Sequence, residues 1–223
     1  MKTIKYLRKT ERLQYEIFEL NSLNEMAKMV AQAFIDSDPR AVVQRFSVEE
    51  FVHHVYQLGA WVAEQGLTII AREQQTNEIV GVVIAGDFYT DSSLEIKNLD
   101  EDKFKPIMQL FDQLQMQYMQ GKRIGKGEYL HLHMLAVKPE RRGEKIAQSL
   151  VQICTENAAS FGYQIAFTES ANSISQRVFR NCGFVECYEV LYKQYTYQNV
   201  PVFTEIEGHS GAILMDKTLV TTE

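Results

Sequence analysis

Four side chains carry the chemistry that this sequence offers at suggestive spacing. His131 and His133 stand two apart in the run His131-Leu132-His133-Met134-Leu135-Ala136-Val137. Strand alternation puts both on one face, shared with Leu135 and Val137. Imidazoles titrate near neutrality, so such a pair can pass a proton through water. Asp38, just before Pro39, offers a carboxylate as an alternative base, and the same dipeptide also reads as a helix-ending turn. Ser175 brings a hydroxyl near the start of a short late helix.

A second group of residues points to an anion. In Lys138-Pro139-Glu140-Arg141-Arg142-Gly143-Glu144-Lys145-Ile146-Ala147, a strand runs into a polar loop and then into a long helix. The first turn of a helix has amide N–H groups without internal partners, and the helix dipole adds positive potential there. Gly143 allows close approach of backbone to a ligand. Arg141, Arg142, Lys138 and Lys145 add positive charge, which suits a pyrophosphate. The segment lacks the Gly-x-x-x-x-Gly-Lys-Ser/Thr order of a nucleotide-hydrolysing loop.

These residues need elements to hold them. Strands are expected at Tyr15–Glu19, Leu67–Arg72, Ile79–Ala85, Tyr129–Val137, Gln164–Thr168, Phe184–Gln194 and Ile213–Lys217. Helical spacing places a first helix after Ser22, through Leu23, Met26, Ala27, Val30 and Phe34. A second opens on the capping box Ser47–Glu50 and runs to about Glu64, where Gly66 ends it. Later helices are expected at Glu144–Ser160 and Ser173–Asn181. Residues 88–127 look like an insertion with one helix (Ile107, Leu110, Phe111, Leu114, Tyr118), followed by a basic Gly121–Gly127 loop. Alternating strands and helices predict a layered α/β (α+β) domain spanning 1–223.

Bulk properties narrow the function. The chain has 223 residues, 45% of them hydrophobic, enough for one domain with a full core. Its net charge of −6 argues against nucleic acid or a membrane surface as partner. No apolar run reaches spanning length, and the charged start Met1–Tyr6 lacks a signal-peptide core. Cys154, Cys182 and Cys187 are odd in number and lack paired metal spacing, so they read as reduced thiols in a cytoplasmic protein, with no metal expected.

The helix-start segment resembles the acetyl-CoA motif of the GNAT (Gcn5-related) N-acetyltransferase superfamily, Arg/Gln-x-x-Gly-x-Gly/Ala. Arg142, Gly143, Glu144, Lys145, Ile146 and Ala147 stand in that frame, with Lys145 in place of the central glycine. Downstream, Asn172, Ser175, Phe179, Gly183 and Phe184 fit the pattern Asn-x-x-Ala/Ser-x-x-x-Tyr/Phe-x-x-x-Gly-Phe. The resemblance implies a mixed, mostly antiparallel sheet flanked by helices, with the helical insertion between the third and fourth strands. It implies acetyl-CoA as co-substrate, held by Leu135, Ala136, Val137, the Arg141–Ala147 loop, Asn172, Ser175 and Phe179, and a small-molecule amine as acceptor. A backbone N–H at a strand bulge near Leu135–Val137 would polarise the thioester.

Two branches compete for the acceptor side. The His131–Val137 run is similar to the His-Leu-His-x-Leu-Ala-Val segment of vertebrate serotonin (arylalkylamine) N-acetyltransferases, where both histidines relay protons. Phe179 replaces the tyrosine acid of those enzymes, leaving Tyr188, Tyr192 and Cys182 as unranked substitutes. Asp38-Pro39 resembles the acidic-residue–proline base of insect dopamine N-acetyltransferases, as does Ser175; a second serine of that branch is Ala171 here. Phe34, Phe46, Phe51, Tyr56 and Trp61 fall where that superfamily often lines its acceptor pocket. The leading expectation is acetyl transfer to an arylalkylamine by a monomer or homodimer. A protein lysine or N-terminal acetyltransferase and a non-catalytic CoA-binding module are the alternatives.

Overall fold

The computed structural model describes residues 6–35, 37–91 and 101–219. The charged start at 1–5 and the part of the insertion at 92–100 lie outside them. In chain order the elements are β1 (Tyr6–Lys9), β2 (Leu13–Ile17), α1 (Leu23–Ile35), α2 (Pro39–Val43), α3 (Val48–Val62), β3 (Ile69–Glu73) and β4 (Ile79–Asp87). There follow α4 (Phe88–Asp91), α5 (Glu101–Met119), β5 (Tyr129–Val137), α6 (Ile146–Ser160), β6 (Ile165–Ser170) and α7 (Ser173–Asn181). The chain closes with β7 (Val185–Leu191), the short pair β8 (Thr196–Tyr197) and β9 (Val200–Pro201), and β10 (Gly211–Thr218).

Eight strands form one sheet in the order β1-β2-β3-β4-β5-β6-β10-β7. Every pairing is antiparallel except β5 with β6. This is the expected mixed, mostly antiparallel architecture. One placement changes: β1 precedes the first expected strand, so the insertion lies between the fourth and fifth strands. The missed β1 is four residues long and rich in charge, which hides its pattern.

Helices cover both faces and divide the core in two. On one face α1, α3 and α5 bury Met26, Val30, Val55, Leu110 and Leu114 against Val82, Ile84 and Phe167. On the other, α6 buries Ile146, Leu150, Cys154 and Ala158 against Ile69, Val83 and Leu132. Each such apolar side chain contributes about 1.5–3 kcal/mol when fully buried. The capping box of α3 forms as expected, with the Glu50 amide donating to Ser47 Oγ (3.2 Å) and the Ser47 amide to Glu50 Oε2 (2.7 Å). The first turn of α6 packs hard on the sheet. A Cβ at Gly81 would sit 3.0 Å from Ile146 Cγ2 and 3.0 Å from Leu150 Cδ1.

Two features at the sheet centre position the chemistry. The parallel pairing of β5 and β6 ends at His131↔Phe167, after which β5 continues along β4 and β6 along β10. The strands part there and leave a wedge. A β-bulge also interrupts β5: Ile84 pairs with Met134 and Ala85 with Leu132, leaving His133 as the extra residue. A bulge shifts the side-chain alternation by one. His131 and His133 therefore face the α1/α3/α5 side together with Met134 and Ala136, whereas Leu135 and Val137 pack on the α6 side. This corrects the expectation that both histidines share a face with Leu135 and Val137. Uninterrupted period-two alternation does not survive the bulge.

Candidate active site

The wedge opens into a cavity of about 720 Å³ that reaches both sides of the sheet. On the α1/α3/α5 side its wall includes Phe34, Phe51, His54, Phe104 and Phe111, and on the other Asn172, Ser175 and Phe179. Of the aromatic residues singled out in the first two helices, Phe34 and Phe51 line the cavity, stacked at 5.4 Å. Phe46 is buried behind them against Phe104. Trp61 lies edge-on to His133, and Tyr56 points outward, 41% exposed.

His131 sits on the cavity floor between two carboxylates. Its Nδ1 is 2.6 Å from Asp91 Oδ2, and its Nε2 is 2.8 Å from Glu169 Oε2. Glu169 Oε1 in turn accepts from Gln115 Nε2 on the insertion helix at 2.9 Å. Burial alone would depress the pKa of His131. Glu169 and Asp91 outweigh burial and push it up to about 10. The same pairing keeps Glu169 below the usual carboxylate range despite burial.

The neighbouring ring is opposite in character. Burial, reinforced by the positive His131 with ring centroids 4.0 Å away, pushes the His133 pKa down to about 3. His133 Nε2 lies 3.6 Å from Asp91 Oδ1, and neither atom has a hydrogen-bond partner among the described residues. His54, from α3, is pushed down to about 4 by burial and then by His53. Asp91, His131 and His133 present donor atoms within 4.8 Å of one another, as metal-binding trios do. Both nitrogens of His131 are turned to carboxylate oxygens, Nδ1 to Asp91 and Nε2 to Glu169.

Asp38 lines the cavity in a different state. It caps α2, accepting from the amides of Arg40 and Ala41, and its carboxylate is gripped by Arg40 through Nε (3.1 Å) and Nη2 (2.9 Å). Burial would raise its pKa, but Arg40 holds it below the usual range. The Asp-Pro turn and a polar group in the cavity wall are thus the same feature.

On the α7 side of the cavity, Asn172 caps the helix by accepting from the amides of Ile174 (3.1 Å) and Ser175 (2.9 Å). Ser175 Oγ is 2.6 Å from Ser170 Oγ, a hydroxyl from β6 that the sequence reading did not include. Both serines line the cavity beside Phe179. Tyr192 is buried with its hydroxyl donating to Ala171 O, the Cys182 thiol is buried behind α7, and Tyr188 is an exposed residue of β7. None of these three lines the cavity.

The phosphate-type loop lies at the far end of β5. Helix α6 begins at Ile146, two residues later than expected, because Lys145 takes a left-handed conformation (φ 61°, ψ 16°) as its N-cap. Only glycine adopts that region without strain, which accounts for glycine at this place in the resembling motif. Much of the loop's charge is internally matched. Arg141 pairs with Glu73 and Glu144, and Lys138 with Glu78. Gly143, Arg142 and Lys145 are exposed, next to the unpaired amides of the first turn of α6. Replacing Lys145 by Gly is expected to raise stability by about 1 kcal/mol, read from the urea midpoint at constant slope.

Comparisons with known proteins bear on this geometry. The sequence pattern of the Acetyltransferase (GNAT) family matches residues 32–184. No curated protein matches the chain in sequence. Among solved structures, arylalkylamine N-acetyltransferase 2 from Aedes aegypti is similar at 20% identity, with 93% of this chain and 99% of that one covered and a TM-score of 0.81. The C-terminal condensation domain of Ebony, in complex with beta-alanyl-dopamine, aligns at 12% identity over 97% of this chain and 100% of its own (TM-score 0.83). The Drosophila melanogaster polyamine N-acetyltransferase, which forms N-acetylagmatine, aligns at 14% identity over 93% and 100% (TM-score 0.73). At these identities the structural matches speak to the fold.

Proposed function

The chain belongs to the acetyltransferase (GNAT) family and is an acyltransferase, and from that premise we propose that it moves the acetyl group of acetyl-CoA directly onto a primary amine of the arylalkylamine type. One observation carries the reading: a single cavity passes through the sheet where β5 and β6 part, joining the wall of α7 to an aromatic chamber with His131 and His133 on its floor. A donor laid across the loop and α7 can meet an acceptor from the other side.

Acetyl-CoA fits the donor side. The pyrophosphate would lie on the amides of Gly143 to Ala147 at the start of α6, with Arg142 and Lys145 as exposed counter-charges. The pantetheine arm would run along Asn172, Ser175 and Phe179. The thioester then enters the wedge beside Leu135–Val137 and the bulge at His133, whose backbone departs from the ladder and can donate to the thioester oxygen.

On the acceptor side, the chamber suits an aromatic cation. Phe34, Phe51, Phe104 and Phe111 offer faces, and Asp91, Glu169 and Asp112 give the wall an excess of negative charge. The base is drawn from the β5 histidines rather than Asp38, whose carboxylate Arg40 already occupies. Phe179 has no hydroxyl to donate, and the Ser170–Ser175 hydroxyl pair in the same cavity wall can pass a proton towards a departing thiolate.

The test is thiol release from acetyl-CoA with tryptamine, phenethylamine, agmatine, spermidine and a lysine peptide. Highest kcat/KM for the two aromatic amines is expected. Turnover confined to the peptide would overturn the small-amine reading, and CoA binding without turnover on any amine would favour a binding module.

A further inference from the structure

Resting on the amine-acetylation reading, we infer that the two β5 histidines do opposite jobs: His131 is a fixed cation clamped between Asp91 and Glu169, while His133 alone takes the amine proton, with Asp91 as the positioning residue between them.

A carboxylate oxygen only accepts, so a ring with a carboxylate at each nitrogen must carry both N–H groups. His131 has Asp91 Oδ2 at 2.6 Å and Glu169 Oε2 at 2.8 Å. The alternative, a proton on one of the acids, is opposed at Glu169. Its other oxygen already accepts from Gln115, and this second bond favours the ionised form. A ring whose protons are both held in this way is a poor carrier in a relay.

The clamp dictates the state of its neighbour. With ring centroids 4.0 Å apart, a charge on His131 opposes one on His133. The other groups facing the pair do not change this. His54 of α3 is buried and neutral, Asp38 and Arg40 of α2 cancel one another, and Asp112 of α5 acts on Glu169 from the rim. Trp61, Phe88 and Phe167 complete the packing as aromatic rings. His133 is thus a neutral imidazole on the cavity wall, with Asp91 Oδ1, which has no hydrogen-bond partner among the described residues, 3.6 Å from its Nε2.

The proton ledger closes. The amine lone pair forms the new C–N bond at the thioester carbon, and the C–S electron pair leaves with the CoA sulfur. The N–H proton passes to His133, whose new charge faces Asp91. A proton from His133, through the cavity, restores the thiol. Asp91, His131 and Glu169 together carry one net negative charge throughout, which draws the ammonium form of the acceptor in; its extra proton leaves to solvent by way of His133 before the nitrogen attacks, so each turnover releases one proton.

The test is side-chain histidine NMR on the full chain, with His131→Gln and His133→Gln used only to assign the two rings. The expected spectrum has His131 cationic from pH 6 to 9 and His133 neutral over the same range. In Glu169→Gln the His131 titration should fall by at least one pH unit. Asp91→Asn should lower kcat at least tenfold with KM for acetyl-CoA within threefold. A neutral His131 at pH 7, both rings titrating together near pH 6.5, or an unchanged kcat in Asp91→Asn would each overturn the inference. The spectra are read without turnover, so a failed clamp is distinguishable from a failed acetyltransferase.

Discussion

His133→Ala is expected to lower kcat/KM for the amine by about 10²–10⁴-fold at pH 7, the usual contribution of a positioned general base. KM for acetyl-CoA should stay close to wild type, because His133 faces the α1/α3/α5 side, away from α6. The defect should shrink as pH approaches that of free amine, near 10, where the acceptor enters already deprotonated. The low His133 pKa means that the ring itself stays unprotonated over this whole range. Its loss therefore removes a proton acceptor and not a titrating charge. Steady-state rates from pH 6.5 to 10 test this. A uniform loss at all pH values would point to a packing defect, and no loss would remove His133 from the chemistry.

The second large effect concerns the buried pair Asp38–Arg40. Arg40→Ala should destabilise the fold by about 3–5 kcal/mol, the typical cost of stranding one partner of a buried ion pair. That is a substantial fraction of a domain's total stability. Asp38→Asn with Arg40→Met together should cost much less, since no charge is left alone. The pH dependence has a definite sign. Arg40 depresses the folded-state pKa of Asp38, so its stabilisation is complete above the ordinary carboxylate range and is lost as pH falls through and below that range. His131 works in the opposite direction. Its raised pKa adds stability that is complete below about pH 6.5 and is lost as pH rises through about 10. Urea titrations at pH 3, 7 and 10 check both signs. The Asp38→Asn, Arg40→Met double variant also separates the two candidate bases: activity within about tenfold of wild type is expected if the carboxylate is structural. Abolished turnover with intact folding and CoA binding would make Asp38 the base.

The loop before α6 and the capped helix α7 were legible because their signals are local in the chain. Arg142 to Ala147 and Asn172 to Phe184 act through contiguous backbone: a helix start, a capped short helix and a turn. His131 and His133 stood out for the same reason, as two polar rings in an apolar strand. Their partners were not legible. Asp91 lies 40 residues from His131 and Glu169 lies 38, and only the α4 turn and the splay of β6 bring them together. Glu169 left one faint trace, as the lone acid of the strand Ile165–Ser170. The bulge at His133 depends on the register against β4, which no periodicity within β5 encodes. In the sequence, Asp38-Pro39 fits a turn and a base equally well. The deciding residue, Arg40, is two positions on, but its grip on Asp38 depends on both being buried together. Local sequence thus names the groups, and tertiary packing sets their charge states.

The central claim is that donor and acceptor meet in one cavity through the sheet. A conjugate with CoA sulfur joined through an acetyl bridge to the nitrogen of tryptamine tests it most directly, by calorimetric titration against CoA and tryptamine alone. The account predicts a 1:1 complex at least a hundredfold tighter than CoA, because one molecule then fills both halves of the site. A conjugate that binds no more tightly than CoA would contradict it.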